Sequence, residues 1–238
     1  GEFRNYWFET GTPTFLIDLI KANDYDLTQI GNDEVLEEDF SSYEIERLDV
    51  LPLLFQTGYL TIKDALEKFG ELRYVLDFPN REVRESFNRR LAQSYANIEG
   101  NVVSNHLFRL IDALENGDLN QFFEKLAVFF ANVPYEIHIH SHNYYQSLFH
   151  VIFTLLGVGV KSEIRTNKGR IDAVIETSAQ VFVFEFKIDG SAEEALKQIR
   201  DKTYYEKYLD RGKLITLVGV NFKQESRGVE KWIAEAIN

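Results

Sequence analysis

"GRIDAVIETSAQVFVFEFK", residues 169–187, decides how the rest of the chain is read. Two runs rich in β-branched and aromatic residues, RIDAVIE and VFVFEFKI, flank the polar TSAQ, which predicts two strands joined by a turn. Side chains alternate along a strand. In the second strand Phe182, Phe184, Phe186 and Ile188 share one face, and Val181, Val183, Glu185 and Lys187 share the other. In the first, Ile171, Ala173 and Ile175 form one face, and Arg170, Asp172, Val174 and Glu176 form its opposite. Asp172 and Glu185 can therefore lie on the same side of one sheet, with Lys187 two residues further on. The wet face of an edge strand would also carry such charges, but Val181 and Val183 on that face argue for cover by a helix.

The strand VGVKSEIR precedes this pair across the turn TNKG. Symmetric pairing about that turn is expected to put Glu163 opposite Asp172, with Cβ atoms about 4.5–5.5 Å apart. Two carboxylates at that distance repel, and a bound divalent cation would reverse the sign. Hard oxygen ligands, few in number and open to water, suit Mg²⁺ (or Mn²⁺). Such an ion activates water and acts as a Lewis acid. An ammonium at Lys187 could orient that water or stabilise charge developing on a phosphate. The basic cluster KSEIRTNKGR adds Arg165, Lys168 and Arg170 as candidate contacts to a nucleic-acid backbone, although a solvated turn would look the same. Acid, metal and lysine beside a basic loop describe phosphodiester hydrolysis better than most other reactions.

Outward from this stretch, HNYYQSLFHVIFTLLG reads as an apolar helix and SAEEALKQIRDKTYYEKYL as another, opened by a capping box of Ser191 and Glu194. LITLVGVNF reads as a buried strand, and GVEKWIAEAI as a closing helix, for an order of αβββαβα. His138, His140 and His142 alternate in EIHIHSH, a pattern read as the polar face of a strand or loop rather than a metal site. His150 is read as a core histidine, and Tyr204, Tyr205 and Tyr208 as packing a helix on the sheet rather than stacking on bases.

The preceding sequence reads differently. GTPTFLIDLIKAN predicts a helix with Thr12 as N-cap and Pro13 at its first position. NDEVLEEDFSSYEIE predicts a solvated loop, followed by a helix over about residues 43–57. YLTIK and LRYVLDF predict strands joined by DALEKFGE, with an amphipathic helix after Pro79. Helix, strand, wing-like hairpin and helix outline a winged-helix-like domain over 1–99, suited to DNA or, given its acidity, to protein contact. Two helices patterned through Leu107, Leu110, Ile111 and Leu114, then Phe122, Phe123, Leu126, Phe129 and Phe130, predict a helical connector over 100–133, leaving 134–238 for the sheet domain.

Composition bounds the possibilities. The net charge of −12 is uneven: from Pro134 onward Lys+Arg and Asp+Glu balance at 14 each, so residues 1–133, with 12 basic and 24 acidic, carry all of it. That half is a poor non-specific phosphate binder. Absence of cysteine excludes disulfides and thiolate metal sites. No run of about 18 apolar residues predicts a membrane span, and no signal peptide opens the chain, so a cytoplasmic protein is expected. Methionine is absent, initiator included, so a fragment of a longer protein is expected.

Asp172, then Glu185-Phe186-Lys187, resembles the D…ExK signature of the PD-(D/E)XK nuclease superfamily, and the αβββαβ order matches its common core. NYWFETGTPTFL, LPLLFQTGYLTI, LDFPNREVRESF, IRTNKGRIDAVIE and FEFKIDGSAEEALKQI extend the likeness over nearly the whole chain, to bacterial AAA-ATPase-like proteins with a C-terminal domain of that superfamily. No G-x-x-x-x-G-K-[ST] occurs, so the resemblance implies an ATPase-like domain upstream, with only its tail here. It implies a restriction-endonuclease-like αβββαβ core with a mixed sheet; with the mainly helical winged-helix-like domain read above, the expected chain is α/β (α+β overall). Asp172 and Glu185 would ligate Mg²⁺ with the backbone carbonyl of Phe186, and Lys187 would be the catalytic lysine. Glu163 would be an extra ligand or base, and Gln198 resembles the helix glutamine of related nucleases. Ile171 stands where the signature has proline. The expected activity is Mg²⁺-dependent DNA cleavage; the alternative is an inactive nuclease-like interaction or regulatory module. Oligomeric state is not legible.

Overall fold

The computed structural model describes residues 12–31, 34–41, 49–97, 99–131, 142–157, 161–167, 170–203, 205–223, 225 and 228–237. Residues 12–13, 41, 142–146, 161–167 and 170–172 are described by their backbone. His138, His140, Lys168 and Tyr204 lie outside the described residues.

The first part runs α1 (Thr12–Ala22), β1 (Glu34–Leu36), α2 (Val50–Gln56), β2 (Thr61–Lys68), β3 (Glu71–Asp77) and α3 (Arg81–Ala96), with short 3₁₀ turns at Leu27–Gln29 and Glu37–Ser41. Its strands form an antiparallel sheet ordered β1-β3-β2. The acidic stretch expected as loop supplies β1, because Val35 is buried where Tyr74 of β3 pairs with it. The expected linker DALEKFGE is mostly strand: β2 and β3 pair to Lys68 and Glu71, leaving two turn residues. Asn80 caps α3 by accepting from the Val83 N–H, and Asn97 closes it in the left-handed conformation. Asp77 fastens hairpin to helix, accepting from Lys63 at 3.0 Å and, through its two carboxylate oxygens, from Arg84 Nη2 at 2.7 and 2.9 Å. Burial works against its charge, but Lys63, the Phe78 N–H and Arg84 together hold its carboxyl below the usual range.

The second part runs α4 (Gly100–Glu115), α5 (Leu119–Ala131), α6 (His142–Leu156), β4 (Lys161–Asn167), β5 (Arg170–Glu176), β6 (Gln180–Ile188), α7 (Ala192–Lys202), β7 (Leu214–Lys223) and β8 (Gly228–Ile237). Its five-stranded sheet is ordered β4-β5-β6-β7-β8, antiparallel except for β6–β7. That parallel pair needs a crossover, which α7 provides. The sheet is mixed, as expected. The closing segment is a correction: GVEKWIAEAI is strand β8, not a helix. Trp232 packs toward one side of the sheet and Ile233 and Ile237 toward the other, so pairing with β7 overrides the low strand propensity of its Glu, Lys and Ala.

One face of this sheet carries the phenylalanine row. Phe184 meets Phe122 of α5 at 5.6 Å, Phe186 meets Phe149 of α6 at 4.8 Å, and Phe123 stacks on Trp232 at 5.0 Å. Each such ring contributes roughly 1.5–3 kcal/mol by leaving water. The same core continues through α6 to α1–α3, and the Leu27 N–H donates to Ser147 of α6 at 3.1 Å. Across the sheet, Val181, Val183, Ile215 and Leu217 pack beneath Leu196 and Ile199 of α7 and Tyr208, while Tyr205 leans on the same cluster. No described helix is long and apolar enough to cross a membrane.

Candidate active site

The sequence-derived face of β6 is the face beneath α7. Asp172 of β5 and Glu185 of β6 are direct partners in the antiparallel register, and the next pair of the same parity is Arg170 with Lys187. Cross-strand partners of this kind hold their Cβ atoms about 4.5–5.5 Å apart. Glu185 is fully buried. A buried carboxylate is costly unless charge or hydrogen bonding compensates it. Lys187 Nζ stands 3.7 Å from Glu185 Oε1 and donates to Gln198 Oε1 of α7. The lysine is thus held between strand and helix, with its side chain 23% exposed.

Glu163 corrects an expectation. Asn167 pairs with Arg170, so the hairpin is centred between residues 168 and 169, one residue later than supposed. Every β4 position then moves by two: Arg165, not Glu163, stands opposite Asp172, and Glu163 stands opposite Val174. A shift of two preserves the face, so Glu163 keeps the parity of Asp172 at a diagonal position. Arg165 and Arg170 occupy register positions beside the Asp172–Glu185 pair. Phe186 lies between the two charged residues on β6 with its ring buried on the opposite face.

Two residues of β7 hold this arrangement and were not singled out from the sequence. Gly219 is in register with Glu185. A Cβ there would lie 2.3 Å from the Ala192 carbonyl and 2.6 Å from the Leu196 nitrogen, so only glycine lets α7 approach this closely. That approach brings Gln198 to Lys187. The signal was present, since a lone glycine inside a strand marks a close backbone approach. Asn221, 3% exposed and in register with Lys187, accepts from the Gly190 N–H at 3.0 Å and donates to Glu230 at 2.7 Å. It ties down the turn between Lys187 and α7. Ser191 accepts from the Glu194 N–H at 3.1 Å, the capping bond expected at that helix start. Glu176, on the same face, is instead engaged by Arg211 and by Lys213 at 3.1 Å, which marks it as structural.

A buried acid paired with a second acid, a lysine on the same strand, and a mixed αβββαβ core agree with the comparison to known families. Residues 141–232 match the PD-(D/E)XK nuclease superfamily. The chain carries a PD-(D/E)XK nuclease superfamily domain over that span, which includes Asp172, Glu185, Lys187 and Gln198. A protein of Azotobacter chroococcum mcd 1, described as "Uncharacterized protein in vnfD 5'region", is 36% identical over 246 residues. That match takes in 99% of this chain and 47% of the relative, so the chain spans about half the length of the curated relative it matches. Nucleases of the superfamily generally use divalent metal ions. The residues here fit one in kind: Asp172 and Glu185 offer hard oxygen ligands at adjoining positions, one of them withdrawn from water. No cluster of three or more candidate ligands forms among the described residues.

Proposed function

We propose that the nuclease-superfamily domain is a Mg²⁺-dependent (or Mn²⁺-dependent) nuclease that hydrolyses phosphodiester bonds in DNA. The observation that carries this reading is the direct register of Asp172 with buried Glu185, beside a lysine fixed by Gln198. Asp172, Glu185 and the backbone carbonyl of Phe186 would hold the ion, with Glu163 as an additional ligand or base. Bound there, the ion would supply Lewis acidity toward a phosphate oxygen and an activated water.

The chain's own residues do the rest. Burial keeps Glu185 fixed and its surroundings low in dielectric, where electrostatic interactions strengthen. Lys187 presents an ammonium to charge developing on the phosphate, or to the attacking water, and Gln198 holds it there in advance of the substrate. Arg165, Lys168 and Arg170 are proposed to meet the nucleic-acid backbone. We extend the proposal to an ATPase-like domain working beside this region in a longer protein, on the strength of the family resemblance; the length of the relative leaves room for one. The test is incubation with Mg²⁺ or Mn²⁺ and single- and double-stranded DNA, beside Lys187→Ala. Metal-dependent cleavage lost in the variant is expected; no cleavage, or equal cleavage by both, overturns it.

A further inference from the structure

The β2–β3 hairpin carries features that the nuclease reading does not use. Phe69 and Gly70 turn it with φ of 56° and 81°. Positive φ at both central positions is the geometry of a type I′ turn, which Asn, Asp and Gly fill most readily. A bulky side chain is strained there, and Phe69 is 99% exposed. The fold gains nothing from either property.

Next to the tip, an open groove of about 910 Å³ lies between the hairpin, the 3₁₀ turn at Glu37–Ser41 and α2. Its floor is aromatic: Phe40 meets Phe55 at 4.9 Å and Tyr74 at 5.6 Å. Ile62 and Leu72, each 43% exposed, stand on the hairpin side. Glu37, Glu38 and Glu71 rim the groove, and none of its described lining residues is cationic. Arg73 offsets part of this charge through Glu71, at 3.1 Å.

Charge selects the occupant. Residues 1–133 carry the whole −12 of the chain. Nucleic-acid phosphates and anionic lipid are repelled by such a surface. An apolar floor inside an acidic rim complements apolar side chains flanked by cations. We propose that this hairpin is a protein-docking surface. The groove takes a short polypeptide segment with large apolar side chains between lysines or arginines, and Phe69 packs against that segment as an aromatic anchor.

The test uses fluorescence anisotropy with a labelled twelve-residue peptide of alternating leucine and lysine as probe. A serine–lysine peptide, a leucine–glutamate peptide and a short DNA duplex serve as comparators. The leucine–lysine probe is expected to bind at least ten-fold tighter than any comparator. The double substitution I62S/L72S should weaken it at least ten-fold, and Phe69→Gly several-fold. Phe69→Gly also relieves the backbone, so it should melt at the same or a higher temperature, which separates lost docking from lost folding. Equal binding of the serine–lysine peptide reduces the surface to bulk charge and overturns the proposal. So does unchanged affinity in both variants, duplex binding lost in Phe69→Gly, or self-association abolished by Phe69→Gly.

Discussion

Along β6 of the five-stranded sheet, every residue from Val181 to Phe186 is buried, whereas along β2 of the three-stranded sheet only Leu66 is even partly covered. The two strands are of similar length and both carry ionisable residues. In β2 the charges sit in water, and Lys68 with Glu34 is an exposed pair of the kind worth little to stability. In β6 Glu185 lies under α7 with phenylalanine behind it, so its charge must be matched within the protein or by what binds there. The same residue types therefore mean different things according to what covers the strand.

The sharpest break of this contrast is in chemistry. Lys187→Ala should lower cleavage by about two to three orders of magnitude, with divalent-ion binding by calorimetry retained; an equal loss from Lys63→Ala, on β2, would erase the distinction. Next is packing. Phe184→Ala should cost about 3–5 kcal/mol in a denaturant titration. Gly219→Ala should cost about 1–3 kcal/mol through overpacking against α7, and should lower activity further than its stability loss explains, because it moves Gln198 off Lys187.

A pH test follows. Burial pushes the His150 imidazole down to about 4. Between that value and the unfolded value of about 6.5, the unfolded chain binds a proton that the folded chain does not. Stability should therefore fall as pH drops through this window and level off below it. His150→Leu should flatten that slope in unfolding curves measured at pH 7, 5.5 and 4.5. The smallest effect belongs to the open hairpin: Ile62→Thr should change stability by no more than about 0.5 kcal/mol.

What was legible in the sequence follows from which patterns survive small errors. Asp172 and Glu185 were placed on one face because alternation is indifferent to a slip of two residues. The partner of Glu163 was not, because it depends on the centre of a turn, and moving that centre by one residue moves the partner by two. β8 was missed because Glu, Lys and Ala read as helix until an unpaired β7 edge is there to receive them. Gln198 came from the family resemblance, but its contact with Lys187 depends on the close approach at Gly219, which no residue-level pattern measures.

The phenylalanine-covered face has a practical consequence for dissecting this protein. The superfamily match begins at residue 141 and ends at 232, yet Phe122, Phe123 and Phe130 come from α5, and β8 runs on to Ile237. A truncation cut at the edges of the match would take Phe122 from Phe184, Phe130 from Phe222 and Phe123 from Trp232, and shorten the last strand. Such a fragment should express as aggregate. A piece meant for assay must keep α5 and the whole of β8, so the span of the family match and the span that covers the sheet are different lengths of chain.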